Sequence, residues 1–208
     1  MKTSDLRTIV PAAEARDRAR RLDDHVRAAA AADGLIDVAV GTVDSPIGEL
    51  FVAVTLKGLA CIGFDGQDRA ELEDRFAEDL SPRVLASARA TDDVRRQLDE
   101  YFGGERHSFE LPVDHRLMSP FVRTVMIETA RVPFGSVSTY GAVASRIRRP
   151  DAARAVGAAL GSNPIPIVLP CHRIIGASGK LTGYAGGLHR KEFLLRLEGD
   201  PTLFPDQG

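Results

Sequence analysis

The sequence predicts an α+β protein in two parts, a small antiparallel sheet followed by a mostly helical region with a helix-turn-helix. Three observations lead there. Residues 37–64 alternate apolar and polar side chains in three short runs separated by Gly and Pro turns. After residue 115 the apolar residues fall at helical spacing behind good N-caps. Charge also reverses along the chain: residues 1–114 hold 15 Lys and Arg against 23 Asp and Glu, a net of −8, and residues 115–208 hold 12 against 6, a net of +6.

Residues 11–32, rich in Ala, Arg and Asp with few large apolar side chains, predict a solvent-exposed helical appendage. From residue 35 the pattern becomes β. Asp37 to Val43 alternates, Ser45-Pro46-Ile47-Gly48 turns, Leu50 to Leu56 resumes, and Lys57-Gly58 leads into Leu59 to Phe64, an antiparallel meander. Cys61 falls among apolar neighbours in the third strand and reads as a core thiol. Helices are expected over 68–79 and 91–101, the second capped by Thr91 with Asp92 and Asp93 in its first turn, and residues 107–113 offer a further strand.

In the second half Ser119 caps a helix to about residue 131, with Phe121, Val125 and Met126 on one face. Ser138 or Thr139 caps a short helix ending near Ile147, Arg148-Arg149-Pro150 breaks it, and Asp151 opens another through Leu160. Two short helices about a tight basic turn predict a helix-turn-helix. The second helix is built of small side chains, Ala153, Ala155 and Gly157 among them, around Arg154. That composition serves either close packing on a neighbouring helix or close approach of the backbone to a DNA groove. The basic half likewise reads either as a solvated surface or as a phosphate-binding face. The expected organisation is an extension over 1–34, an α/β domain over 35–114, a DNA-binding and thiol-bearing domain over 115–200, and a tail over 201–208.

Two cysteines are too few for a disulfide framework or a structural zinc site. No apolar run approaches the roughly 18 residues that span a bilayer, and residues 1–24 lack the apolar stretch of a secretory signal. A cytoplasmic location is expected.

The chemistry concentrates at Pro170-Cys171-His172-Arg173, reached through the stiff, proline-rich run Asn163 to Pro170. A free thiol is only about a few per cent ionised at neutral pH, so Cys171 needs a base or a positive environment to attack carbon. His172 is the nearest base, acting through a turn or a water, and Glu198 is a candidate to orient its ring. By itself a Cys–His pair fits a metal pair, a thiol hydrolase or an accident of packing. Further metal ligands are lacking nearby, since His189 is the only other His or Cys beyond His172.

The run Asn163 to Ile175 resembles the methylated-DNA–protein-cysteine methyltransferases, or 6-O-alkylguanine-DNA alkyltransferases. Gly179-Lys180-Leu181-Thr182-Gly183-Tyr184-Ala185-Gly186-Gly187-Leu188, followed by Arg190-Lys191-Glu192, is similar to that family's active-site loop and last helix. Pro133-Phe134-Gly135 through Tyr140 and Ala152 to Gly157 resemble its helix-turn-helix, and Ser45-Pro46-Ile47-Gly48 a turn of its first domain. The likeness covers about residues 36–200.

The resemblance implies a ribonuclease H-like first domain and a reaction in which Cys171 accepts the alkyl group of a damaged guanine or thymine in duplex DNA, once per chain. His172, a bridging water and Glu198 would draw off the thiol proton, and Asn163 would brace the thiol. Arg154 would enter from the minor groove and fill the gap left by the flipped base, with Ala153, Ala155, Gly157 and Arg149 at the DNA surface. Tyr140 would press on the target phosphate and donate to guanine N3. Tyr184 would wall the pocket, the Ala185 N–H would face the guanine oxygen, and the carbonyls of Cys171 and Ile174 its amino group. No cofactor or metal is implied, and a monomer is expected. Two other classes compete: a protein that recognises alkylguanine without removing the alkyl group, and a thiol hydrolase.

Overall fold

A computed structural model describes residues 37–199 of the chain. The helix expected over 11–32 and the tail over 201–208 lie outside the described residues. Among the described residues no helix is long and apolar enough to cross a membrane.

Three strands, β1 (Val38–Val43), β2 (Leu50–Thr55) and β3 (Gly58–Phe64), form the expected antiparallel meander. Its two-residue period sends Leu50 and Val52 to one face and Phe51 and Ala53 to the other. Both faces are covered. Helix α1 (Arg69–Asp79) puts Phe76 against Phe51, rings 6.0 Å apart. Helix α2 (Ala88–Phe102) puts Val94, Leu98 and Tyr101 into the core on the opposite face. Cys61 is buried on the α1 side, where loss of hydration pushes its thiol up to about 12.

Three expectations here need correction. The sheet is mixed, because a short strand β4 (Val84–Ala86) pairs parallel to β1 and gives the order β3-β2-β1-β4. Residues 107–113 form no strand; Val113 makes one isolated bridge to Leu59. The Glu110 N–H is instead taken by Gln97 Oε1 at 2.8 Å, and His107 stacks on Phe134 at 4.1 Å. The cap of α2 is Ser87, not Thr91. Thr91 lies one turn inside the helix, packed so tightly against β1 that a Cβ at Gly41 would meet its Oγ1 at 2.8 Å. Its hydroxyl turns back to the carbonyls of Ser87 and Ala88.

The helical region begins with α3 (Pro120–Thr129), capped by Ser119, which buries Val125, Met126 and Thr129. Helix α4 (Tyr140–Arg146) is capped by Thr139. A 3-10 turn (Pro150–Ala152) then leads into α5 (Ala153–Gly161), completing the helix-turn-helix. Helix α6 (Leu188–Leu197) closes the described chain.

One hydrophobic core runs through both halves, from Leu50 and Leu98 to Val125, Val156, Ile165 and Leu194. Backbone bonds continue the seam along the outer edge of β3: Leu59 N donates to Pro112 O and Ile62 N to Pro164 O, each at 2.8 Å. The arm leading to Cys171 is thereby anchored on the sheet.

Candidate functional site around Cys171

The proline-rich arm supplies the geometry. Pro166, Ile167 and Val168 make a three-residue turn, with Val168 N donating to Pro166 O at 2.9 Å and Ile167 held at φ 74°. That conformation is costly for a β-branched residue and persists because the Ile167 side chain is fully buried. A second three-residue turn is centred on Pro170 (φ −79°, ψ 63°), with Cys171 N donating to Leu169 O at 2.8 Å. The proline ring fixes φ where this turn requires it. Cys171–Arg173 then forms a single 3-10 turn, and strand β6 (Ile174–Ile175) pairs parallel with β5 (Ser138–Thr139). Since β5 runs directly into α4, this pairing ties the thiol to the helix-turn-helix.

Cys171 is 6 % exposed, on the wall of a cavity of about 420 Å³ shared with Tyr140, Gly157, Leu160, Tyr184 and Ala185. Asn163 Nδ2 donates to its Sγ at 3.1 Å and to Leu169 O at 2.8 Å, while Asn163 Oδ1 accepts from Ile165 N at 3.0 Å. One amide thus braces the thiol and the arm together. Burial pushes the Cys171 thiol up to about 11, against the opposing pull of Asn163 and Lys191. The thiol must therefore lose its proton to a partner.

His172 is fully buried, with Nε2 2.9 Å from Glu198 Oε1. Glu198, the C-cap of α6, is held at about 2: burial alone would raise it, but hydrogen bonds from His172 and Arg173 outweigh that. An ionised carboxylate only accepts, so His172 Nε2 carries hydrogen and Nδ1 carries the lone pair. Nδ1 is buried and makes no hydrogen bond among the described residues. Burial lowers the histidine's proton affinity more than Glu198 restores it, so the ring rests neutral and can accept a proton.

Three participants escaped the sequence reading. Arg173, buried beside His172, donates from Nε to Glu198 Oε2 at 2.8 Å, from Nη2 to Oε1 at 2.9 Å and from Nη1 to Val132 O at 2.7 Å. Lys191, fully buried on α6, donates to Ile174 O at 2.6 Å and Thr182 O at 2.9 Å, and burial brings it down to about 8. Tyr101 reaches Glu198 from α2. Arg173 and Lys191 lie inside the recognised motifs and carried that signal; Tyr101 carried none.

The structure brings Cys171, His172, Asn163 and Glu198 together, and Tyr140, Gly157, Tyr184 and Ala185 share the cavity with the thiol. The Tyr140 hydroxyl lies 3.4 Å from Thr182 O and 3.1 Å from Thr182 Oγ1. Phe64 of the sheet packs on Tyr184, rings 5.8 Å apart. Ile174 is buried outside the cavity lining, and its carbonyl accepts from Lys191. Arg154 and Ala155 are exposed on α5, Ala153 is half-buried, and exposed Arg149 lies over the Phe121 ring at 5.6 Å. None of these four lines the cavity.

A thiol seated this way against a helix-turn-helix puts the chain in the class of DNA-directed group-transfer proteins that work through cysteine. Residues 38–115 match the ribonuclease-like domain, and residues 120–200 the DNA-binding domain, of 6-O-methylguanine DNA methyltransferase. The chain belongs to that family. It is 46% identical over 157 residues to the methylated-DNA–protein-cysteine methyltransferase of Mycolicibacterium paratuberculosis, covering 76% of this chain and 90% of the relative. Its identity to the protein of the same name from Methanosarcina acetivorans is 43% over 157 residues, covering 75% and 95%. Among solved structures it is similar to the Mycobacterium tuberculosis O6-methylguanine methyltransferase, with a TM-score of 0.69, 40% identity and coverage of 80% and 99%. The M. tuberculosis OGT in complex with DNA superposes with a TM-score of 0.68 at 38% identity, covering 81% and 99%.

Proposed function

We propose that this protein repairs DNA by transferring the alkyl group of 6-O-alkylguanine irreversibly to Cys171. The observation that carries the reading is the thiol itself: nearly buried, braced by Asn163, and lining a cavity beside the helix-turn-helix. A base stacked in duplex DNA cannot reach such a sulfur, so the target nucleotide flips out. Arg154 on the exposed face of α5 enters the minor groove and fills the gap, and Ala153, Ala155, Gly157 and Arg149 lie along the DNA. Phosphate contacts from the basic half help offset the cost of unstacking, about a few kcal/mol.

In the cavity, the thiol proton passes through a bridging water to His172 Nδ1, with Glu198 holding the imidazolium. The sulfur forms a bond to the alkyl carbon as the carbon–oxygen bond breaks, and the electron pair leaves with the guanine oxygen. Tyr140 donates a hydrogen bond to guanine N3, the Ala185 N–H stabilises the oxygen, and Tyr184 walls the base, so the departing guanine anion is held by donors while the proton stays on His172. The carbonyls of Cys171 and Ile174 accept from the exocyclic amino group, that of Ile174 through its second lone pair. A thioether is a poor leaving group, so each chain reacts once. A reaction needing a reduced thiol and genomic DNA belongs in the cytoplasm, and one chain holds every residue of the scheme, which makes the monomer sufficient.

The test is to incubate the protein with duplex DNA bearing one 6-O-methylguanine and weigh the Cys171 peptide. One methyl group gained per chain, and none in Cys171→Ser, is the expected result. Binding without mass gain would make the protein a reader of the lesion, and repeated ester cleavage without modification would make it a thiol hydrolase.

A further inference from the structure

Tyr101 is a completely buried residue of α2, in the ribonuclease-like half, far in sequence from every residue of the proposed reaction. Its ring is boxed by Phe102, Phe109 and Phe134 at centroid distances of 5.4, 5.2 and 6.2 Å. A core tyrosine needs a partner for its hydroxyl, and many find a backbone carbonyl. This one donates to Glu198 Oε1 at 2.7 Å, the oxygen that holds His172. Oε1 therefore receives three donors: Tyr101 Oη at 2.7 Å, His172 Nε2 at 2.9 Å and Arg173 Nη2 at 2.9 Å. The shortest of the three comes from the other domain.

Each donor draws on the same negative charge, so what Tyr101 takes is not available to a protonated His172. Tyr101 cannot release its hold by ionising, because burial, reinforced by the Glu198 charge, lifts its phenol well above the ordinary value. The other groups around His172 are Cys171 and Arg173 on its own turn, Lys191 and Glu198 from α6, and Tyr184 from the active-site loop, which senses the charges of Cys171 and Glu198. Among these, Tyr101 is the group whose removal changes no charge and no residue lining the cavity.

We propose that Tyr101 is a positioning residue for alkyl transfer, through which the ribonuclease-like domain sets how firmly His172 holds a proton. The inference rests on the proposed role of His172 as proton acceptor. Its test compares wild type with Tyr101→Phe in the full chain. The imidazole nitrogens of His172 are followed by 15N NMR against pH without DNA, and single-turnover methyl transfer is followed at saturating DNA.

Without the phenol, Glu198 pulls harder on His172 and its titration midpoint moves up, by about half a unit to one unit. On the acid side His172 is then already protonated, and transfer slows by up to about three- to tenfold at pH values well below both midpoints. Above neutrality the variant matches or exceeds wild type, so the two profiles cross. Tyr101→3-fluorotyrosine, a stronger donor of nearly the same size, moves the midpoint the opposite way and covers the case in which phenylalanine disrupts the fold. An unmoved midpoint, superimposed profiles, or an equal loss at every pH would overturn the inference. If wild type never methylates Cys171, the proposed reaction fails, while the DNA-free His172 titration still decides the role of Tyr101.

Discussion

The guanidinium of Arg173 grips both oxygens of Glu198, Nε at 2.8 Å from Oε2 and Nη2 at 2.9 Å from Oε1, with both side chains buried. A buried pair of this kind fixes geometry more than it adds stability, yet removing one partner strands the other charge. Glu198, held at about 2 in the fold against 4.5 unfolded, binds protons less readily folded than unfolded. Its stabilising contribution is complete above about 4.5 and is lost as pH falls through about 2. The shift corresponds to about 3 kcal/mol. Chemical denaturation of wild type and Glu198→Gln should show a gap of at least that order at neutrality, narrowing towards the acid end. A gap independent of pH would mean that the carboxylate is not ionised in the fold.

Asn163→Ala removes the donor to Cys171 Sγ and leaves the Ile165 N–H and the Leu169 carbonyl without their side-chain partner. Stability should fall by about 1–3 kcal/mol, and methyl transfer by about tenfold or more. Rapid-quench kinetics on folded protein separates the two effects, and an unchanged rate would remove Asn163 from the chemistry.

Arg154→Ala should act through DNA alone. On duplex substrate transfer slows by about tenfold or more, because the flipped base loses the side chain that fills its place. On the free base 6-O-methylguanine, which needs no flipping, the rate stays at the wild-type value. An equal loss on both substrates would show that Arg154 supports the fold instead.

Lys191→Met keeps the length of the side chain and deletes the donor to Ile174 O and Thr182 O, which together pin both ends of the loop beyond β6. A cost of about 1–3 kcal/mol is expected. Amide exchange over residues 176–182 should accelerate before that of α3 or α5. Uniform acceleration across the chain would point to global destabilisation.

The meander and the helix-turn-helix were legible because their information is local: a two-residue period, Gly and Pro turns, and the caps Ser119 and Thr139. Strand β4 escaped because three residues carry no period, and its pairing with β1 depends on where α1 returns the chain. Thr91 looks like a cap until Gly41 is brought against it. At the site, the residues adjacent in sequence were legible through the motif that contains them. Glu198 was reached as the carboxylate for His172, 26 positions away, but the tie to the first domain was not: the Tyr101–Glu198 bond spans 97 positions, a separation at which no pattern in the chain announces a partner.

Cys61 and Cys171 are both buried thiols, but one is sealed beneath the sheet on the side of Phe76 and the other lines the cavity shared with Tyr140 and Gly157 of the helix-turn-helix. On the proposed reaction, every molecule therefore carries its own blank. The Cys61 peptide, shielded from reagent and un-ionised, stays unmodified while the protein is folded, the Cys171 peptide registers lesions removed from DNA, and their comparison in a single digest separates repair from alkylation of opened chains.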